Sequence, residues 1–78
     1  MNRNEIETQM AETISKEVGA EVEVTLTGTQ KVTISGTVAA ARKAATWMQI
    51  AGLMFLDSFA EYVEDGCDEG YAYMTSVI

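Results

Sequence analysis

The chain has 78 residues, a net charge of −7, one cysteine and no histidine. That length allows a single domain and no second core, and a chain this short buries only roughly 60–65% of its extended surface. A 47% apolar content argues against a disordered acidic tail, and the acidity argues against nucleic acid as a direct partner, because such affinity rests on Lys and Arg displacing counterions.

Residues 4–18 predict an amphipathic helix. Ile6, Met10, Ile14 and Val18 recur every four residues, and Ala11 widens the stripe. Asn4 with Glu7 three residues on has the form of an N-cap and its acidic partner, and Gly19 supplies the stop. The period then falls to two. Val22, Val24 and Leu26 alternate with Glu21, Glu23, Thr25 and Thr27, and Val32 and Ile34 alternate with Lys31, Thr33 and Ser35. These are two half-buried strands, with Gly28-Thr29-Gln30 as a hairpin turn and Lys31 as a counter-charge for the polar face.

Thr37 is placed to cap a second, alanine-rich helix from Val38 to about Ala51, with Val38, Ala41, Ala45 and Met48 on one side. A helix continuing to residue 64 would be long for so small a domain, so a break is expected near Gly52. A further helical piece is expected over Asp57–Glu64, with Ser58 and Glu61 as a capping box and Phe55, Leu56, Phe59, Tyr62 and Val63 as its apolar side. Residues 66–70 read as a loop. Tyr71, Tyr73, Thr75 and Val77 alternate with Ala72, Met74, Ser76 and Ile78 in a last strand, which is either central or has one face at an interface. The expected fold is a small α+β domain of order α-β-β-α-(α)-β, an antiparallel hairpin and a C-terminal strand packed against helices.

The longest uncharged run, Ala44–Leu56, has thirteen residues and is too short to span a bilayer, and the residues after Met1 lack a hydrophobic leader pattern. A cytoplasmic protein without membrane contact is the expectation, and the single Cys67 excludes an internal disulfide. Enzyme chemistry is not expected. The commonest general base is missing, and Cys67 has Asp65, Asp68 and Glu69 beside it in sequence, which disfavour a thiolate. Asp65, Asp68 and Glu69 do not follow the alternating acids of a calcium loop, and no phosphate-cradling glycine loop is present, so no metal or cofactor is expected.

Charge is unevenly placed. Residues 1–43 hold six acids and five bases, whereas no Lys or Arg follows Lys43 and six acids fall between Asp57 and Glu69. On a helix, Asp57, Glu61, Glu64, Asp65 and Asp68 would share one side, and Glu69, Tyr62, Tyr71 and Tyr73 would lie beside them. Like charges at that spacing repel, and a merely solvating face usually mixes signs. These nine residues are therefore the expected partner-binding set, facing a protein with a basic surface.

The run Val32-Thr33-Ile34-Ser35-Gly36-Thr37-Val38 followed by Ala39–Ala45 resembles the last strand and helix of a KH-type RNA-binding module, over about a fifth of the chain. The basic Gly-x-x-Gly clamp is absent, and RNA binding is set aside on that ground and on charge. In size, acidity, α+β make-up and the carboxylates from Asp57 to Glu69, the chain resembles the small acidic phage-encoded inhibitors of the anti-CRISPR type. That resemblance implies a non-catalytic inhibitor in the cytoplasm of a bacterial host, covering a nucleic-acid-binding surface of a defence complex such as a CRISPR effector. The alternative is an assembly domain that forms homodimers through its terminal strand, Tyr71–Ile78, with Met54 and Phe55 as a hydrophobic patch.

Overall fold

The computed structural model describes residues 2–77. Its elements are α1 (Arg3–Val18), β1 (Val22–Gly28), β2 (Lys31–Gly36), α2 (Val38–Ile50), β3 (Met54–Tyr62), a short 3-10 turn (Glu64–Gly66) and β4 (Glu69–Ser76). The four strands form one antiparallel sheet in the order β1-β2-β4-β3. Both helices lie on the same face of it, and among the described residues the opposite face carries no layer. The α+β class, the hairpin and the packing of the last strand against helices are as the sequence leads one to expect.

Helix α1 starts earlier than the Asn4–Glu7 pair suggests. Asn2 is the N-cap, and its side chain accepts from the Glu5 N–H at 2.9 Å. Glu7 is used elsewhere: its carboxylate accepts from the Leu26 N–H on β1 at 2.7 Å. Ile14 is buried, Met10 and Val18 pack against the core, and Ile6 at the start of the stripe stays exposed. Gly19, at φ 70°, closes the helix with its N–H on the Ser15 carbonyl.

The hairpin follows the period-two pattern. Val22, Val24, Val32 and Ile34 are buried, and Glu23, Thr25 and Lys31 are exposed. Gly28 pairs with Lys31, leaving Thr29-Gln30 as the turn with Gln30 at φ 64°, and the extra residue between Leu26 and Gly28 is a bulge.

In α2, Thr37 caps by accepting from Ala40 N–H at 3.1 Å. Ala40, Ala41, Ala44, Ala45 and Met48 are buried, and these small side chains bring the helix close to the sheet. Gly70 of β4 sets the closest approach: a Cβ there would stand 2.9 Å from Val38 Cα and 3.2 Å from Ala41 Cβ. The helix ends at the expected place. Gly52 adopts φ 72°, its N–H bonds the Gln49 carbonyl, and the Leu53 N–H bonds Met48, a paired closure of the last turn.

The piece expected as a helix over Asp57–Glu64 is instead strand β3 and the turn after it. The reason is a bulge. Leu56 pairs with Met74 and Ser58 with Tyr73, so Asp57 is an extra residue. The phase of alternation therefore shifts at Asp57. Met54 and Leu56 before it, and Phe59 and Glu61 after it, lie on the helix-covered face. A spacing of three between Leu56 and Phe59, which suggests a helix, arises here from an interrupted period of two. Phenylalanine and tyrosine also suit a strand better than an isolated helical turn.

Strand β4 is central, hydrogen-bonded to β2 on one side and β3 on the other. Gly70, Ala72 and Met74 are buried beneath α2. Central placement rules out edge-to-edge pairing through the terminal strand, since neither side is vacant. Nor does the expected Met54–Phe55 patch form: Met54 is buried and Phe55 points to the opposite, open face. Ile78 of the expected strand lies outside the described residues. No helix among the described residues is long and apolar enough to cross a membrane.

Candidate protein-docking face

The uncovered sheet face is built by the residues that alternate with the core. Register places Glu23, Ser35, Tyr71 and Ala60 in one row across the four strands, and Thr25, Thr33, Tyr73 and Ser58 in the next. Lys31, Thr75 and Phe55 form a third row near the hairpin, while Glu69 pairs with Tyr62 at the far end. Phe55 is 63% exposed, Tyr62 55% and Tyr73 39%, so the face presents aromatic surface to solvent.

Its two ends differ electrostatically. Near the hairpin, Lys31 Nζ lies 3.2 Å from Thr75 Oγ1 and 3.7 Å from Asp57 Oδ2, and the Thr75 hydroxyl donates to Asp57. Asp57 is thus locally neutralised. At the other end, Glu21, Glu23, Asp68 and Glu69 rim an open cleft of about 420 Å³ together with Thr37 and Tyr71. Tyr71 stacks edge-on against Tyr62, with ring centroids 5.6 Å apart at 76°, and donates its hydroxyl to Glu69 at 3.4 Å. The Glu69 charge, followed by partial desolvation, raises the Tyr71 pKa above its ordinary 10.0, so the phenol stays a neutral donor.

The expected one-sided row of carboxylates on a helix does not form, because the segment is a strand and a turn. Glu61 lies on the helix-covered side of β3 and pairs with Arg42, whose guanidinium sits 4.5 Å from the centre of the Phe59 ring. Asp68 accepts from the Val38 N–H at 3.0 Å, giving α2 the anionic N-terminal partner that its own first turn lacks. Glu64 and Asp65 occupy the turn after β3, where Asp65 holds φ 54° and the Glu64 carbonyl accepts from the Cys67 N–H. Both are exposed.

The structure therefore regroups the expected residues. Tyr62, Tyr71, Glu69, Glu64 and Asp65 gather at one end of the sheet, and Tyr73 continues the aromatic surface along β4. Asp57, Glu61 and Asp68 are held by partners within the chain. Glu21 and Glu23 join the acidic end. Their alternation with Val22 and Val24 marks them as outward-facing, but only the strand order brings β1 to the same end as the start of β4.

Among the described residues, no group of three or more His, Cys, Asp or Glu side chains is arranged to hold a metal ion. Comparison of the chain with protein-family models, with curated proteins and with solved structures finds no match.

Proposed function

We propose that this domain acts by binding another protein, docking the acidic, tyrosine-bearing end of its open sheet face on a basic surface. The carrying observation is that Glu21, Glu23 and Glu69 line one cleft with Tyr71, which packs edge-on against Tyr62, while Glu64 and Asp65 stand in the turn that follows Tyr62. Carboxylates steer a basic partner and set its register, and tyrosines supply contact area at low entropic cost. A basic surface that ordinarily holds phosphates is the fitting counterpart. In keeping with the resemblance to small acidic phage-encoded inhibitors, the reading is of a non-catalytic inhibitor that occupies a nucleic-acid-binding site of a bacterial defence complex.

The test is capture of partners from bacterial lysate with the domain as bait, eluting with a polyanion such as heparin. A variant carrying E21Q, E23Q, E64Q, D65N and E69Q, which spares the internally paired Asp57, Glu61 and Asp68, should lose the heparin-eluted partner. The wild-type complex should also weaken steeply with salt, since exposed charges are screened over about 8–10 Å. Equal capture by the variant, or affinity independent of salt, overturns the reading.

A further inference from the structure

The two edges of the sheet are unlike. The hydrogen bonds fix which backbone groups face outward. Val22 and Leu26 of β1 direct their N–H groups away from β2, and both are bonded by α1: Val22 N–H to Ser15 Oγ at 3.0 Å, Leu26 N–H to the Glu7 carboxylate at 2.7 Å. Helix α1 thus bonds two outward N–H groups of the β1 edge with its own side chains. On the other side, the Val77 N–H bonds the Leu53 carbonyl, which sets the phase of the β3–β4 ladder. Thr75, Tyr73 and Tyr71 then face β3, and with the bulge at Asp57 the outward groups of β3 belong to Met54, Leu56, Phe59 and Glu61. No side chain among the described residues bonds these four outer backbone positions.

We infer that the β3 edge is where an extended, basic segment of the partner adds to the sheet as a fifth strand. This rests on the reading that the partner is basic. Main-chain bonding to an open edge provides the attachment, and alternate side chains of the added strand fall on the two faces. Charge selects the occupant. Exposed Glu64 and Asp65 directly follow β3 in a chain of net charge −7, whereas Asp57 and Glu61 on the strand itself are offset by Lys31 and Arg42. A second copy of this chain would bring a second set of these acids to the same edge, each on a molecule of net charge −7. A lysine- or arginine-bearing strand meets them with opposite sign. Its residues on the open face extend the surface made by Phe55 and Tyr62, so the edge and the acidic face act as one site.

The experiment titrates the full chain with a synthetic peptide of alternating lysine and valine, monitored by amide NMR. Two further peptides carry N-methyl groups on all lysines or on all valines, which removes backbone donors while keeping charge. Only one of the two alternating sets faces β3. One methylated peptide should therefore bind roughly tenfold or more weakly, from the loss of two or three hydrogen bonds, while the other binds as the parent. The amides of Met54, Leu56, Phe59 and Glu61 should gain exchange protection with the parent peptide. Equal binding of all three peptides overturns strand addition and leaves the basic-surface reading standing. Equal binding of a glutamate–valine peptide overturns the basic reading instead. No binding of the parent peptide at low salt, or a concentration-dependent dimer with protected β3 amides, overturns the inference.

Discussion

Replacing Gly70 with alanine tests whether the close seat of α2 on β4 holds this fold together. The added Cβ would meet Val38 Cα at 2.9 Å, Phe59 Cζ at 3.0 Å and Ala41 Cβ at 3.2 Å. The first of these is backbone, so relief requires the start of α2 to lift from the sheet. That movement would also stretch the Val38 N–H bond to Asp68, two residues before Gly70 in the chain. Overpacking of this kind costs about 1–3 kcal/mol, and the smaller chain entropy of the unfolded alanine variant offsets about 0.4–1 kcal/mol of it. The net loss is about 1–2 kcal/mol. For a domain of this size each kcal/mol moves Tm by about 6 °C, so a fall of about 6–12 °C is expected. Thermal and urea unfolding followed by circular dichroism measure it, with Trp47 fluorescence as a second probe. Gly28→Ala is the control, because its Cβ would meet nothing within 4 Å. Were the two variants to melt within a degree or so of each other, the account of α2 packing would be wrong.

The guarded β1 edge and the tyrosine pair give two more outcomes. Glu7→Ala should cost about 1 kcal/mol and speed exchange of the Leu26 amide, while Glu7→Gln, which keeps an acceptor, should recover most of both; unchanged Leu26 exchange in the alanine variant would show that Glu7 does not hold the edge. In a titration followed by NMR of its ring, Tyr71 should ionise above 10.0, and Glu69→Gln should bring it back towards that value. Because the folded-state pKa is the raised one, the associated stability is fully present below pH 10 and is lost as pH climbs through the folded value. A Tyr71 titration unaffected by the Glu69 substitution would refute the Tyr71–Glu69 interaction.

Much of the fold is legible in the sequence because its periodicities are local. The four-residue recurrence before Gly19, the clean alternation from Val22 to Ser35 and the alanine run after Thr37 each name an element without outside information. Gly52 ends α2 through a left-handed residue that any reading of glycine anticipates. What fails is β3, where the bulge at Asp57 converts an alternating strand into a sequence with apolar residues three apart. A bulge is settled by the partner strand: Tyr73 opposes the extra residue, and nothing local to residues 54–62 announces it. The acidic cluster fails in the same step. The shared face expected for its residues depends on a helix that does not form, and Glu61 and Asp68 pair with Arg42 and with the start of α2.

The same carboxylates bear on why an uncovered sheet can exist in so small a protein. An open edge and exposed aromatic side chains on a polar sheet face invite pairing between copies, and a chain of this size has few elements with which to cover them. Here α1 covers the core and also bonds two outward N–H groups of the β1 edge through Glu7 and Ser15. Among the described residues no side chain guards the β3 edge in this way, and the acids of the sequence are densest from Asp57 to Glu69, with Lys31 and Arg42 offsetting Asp57 and Glu61. Those acids resist self-pairing by like-charge repulsion, and the bulge at Asp57 bends the edge away from a flat template. Neither device repels a basic strand. On the proposed reading of a basic partner, protection against a second copy and selection of that partner share one electrostatic origin, so neutralising Glu64 and Asp65 should weaken partner binding and promote self-association together.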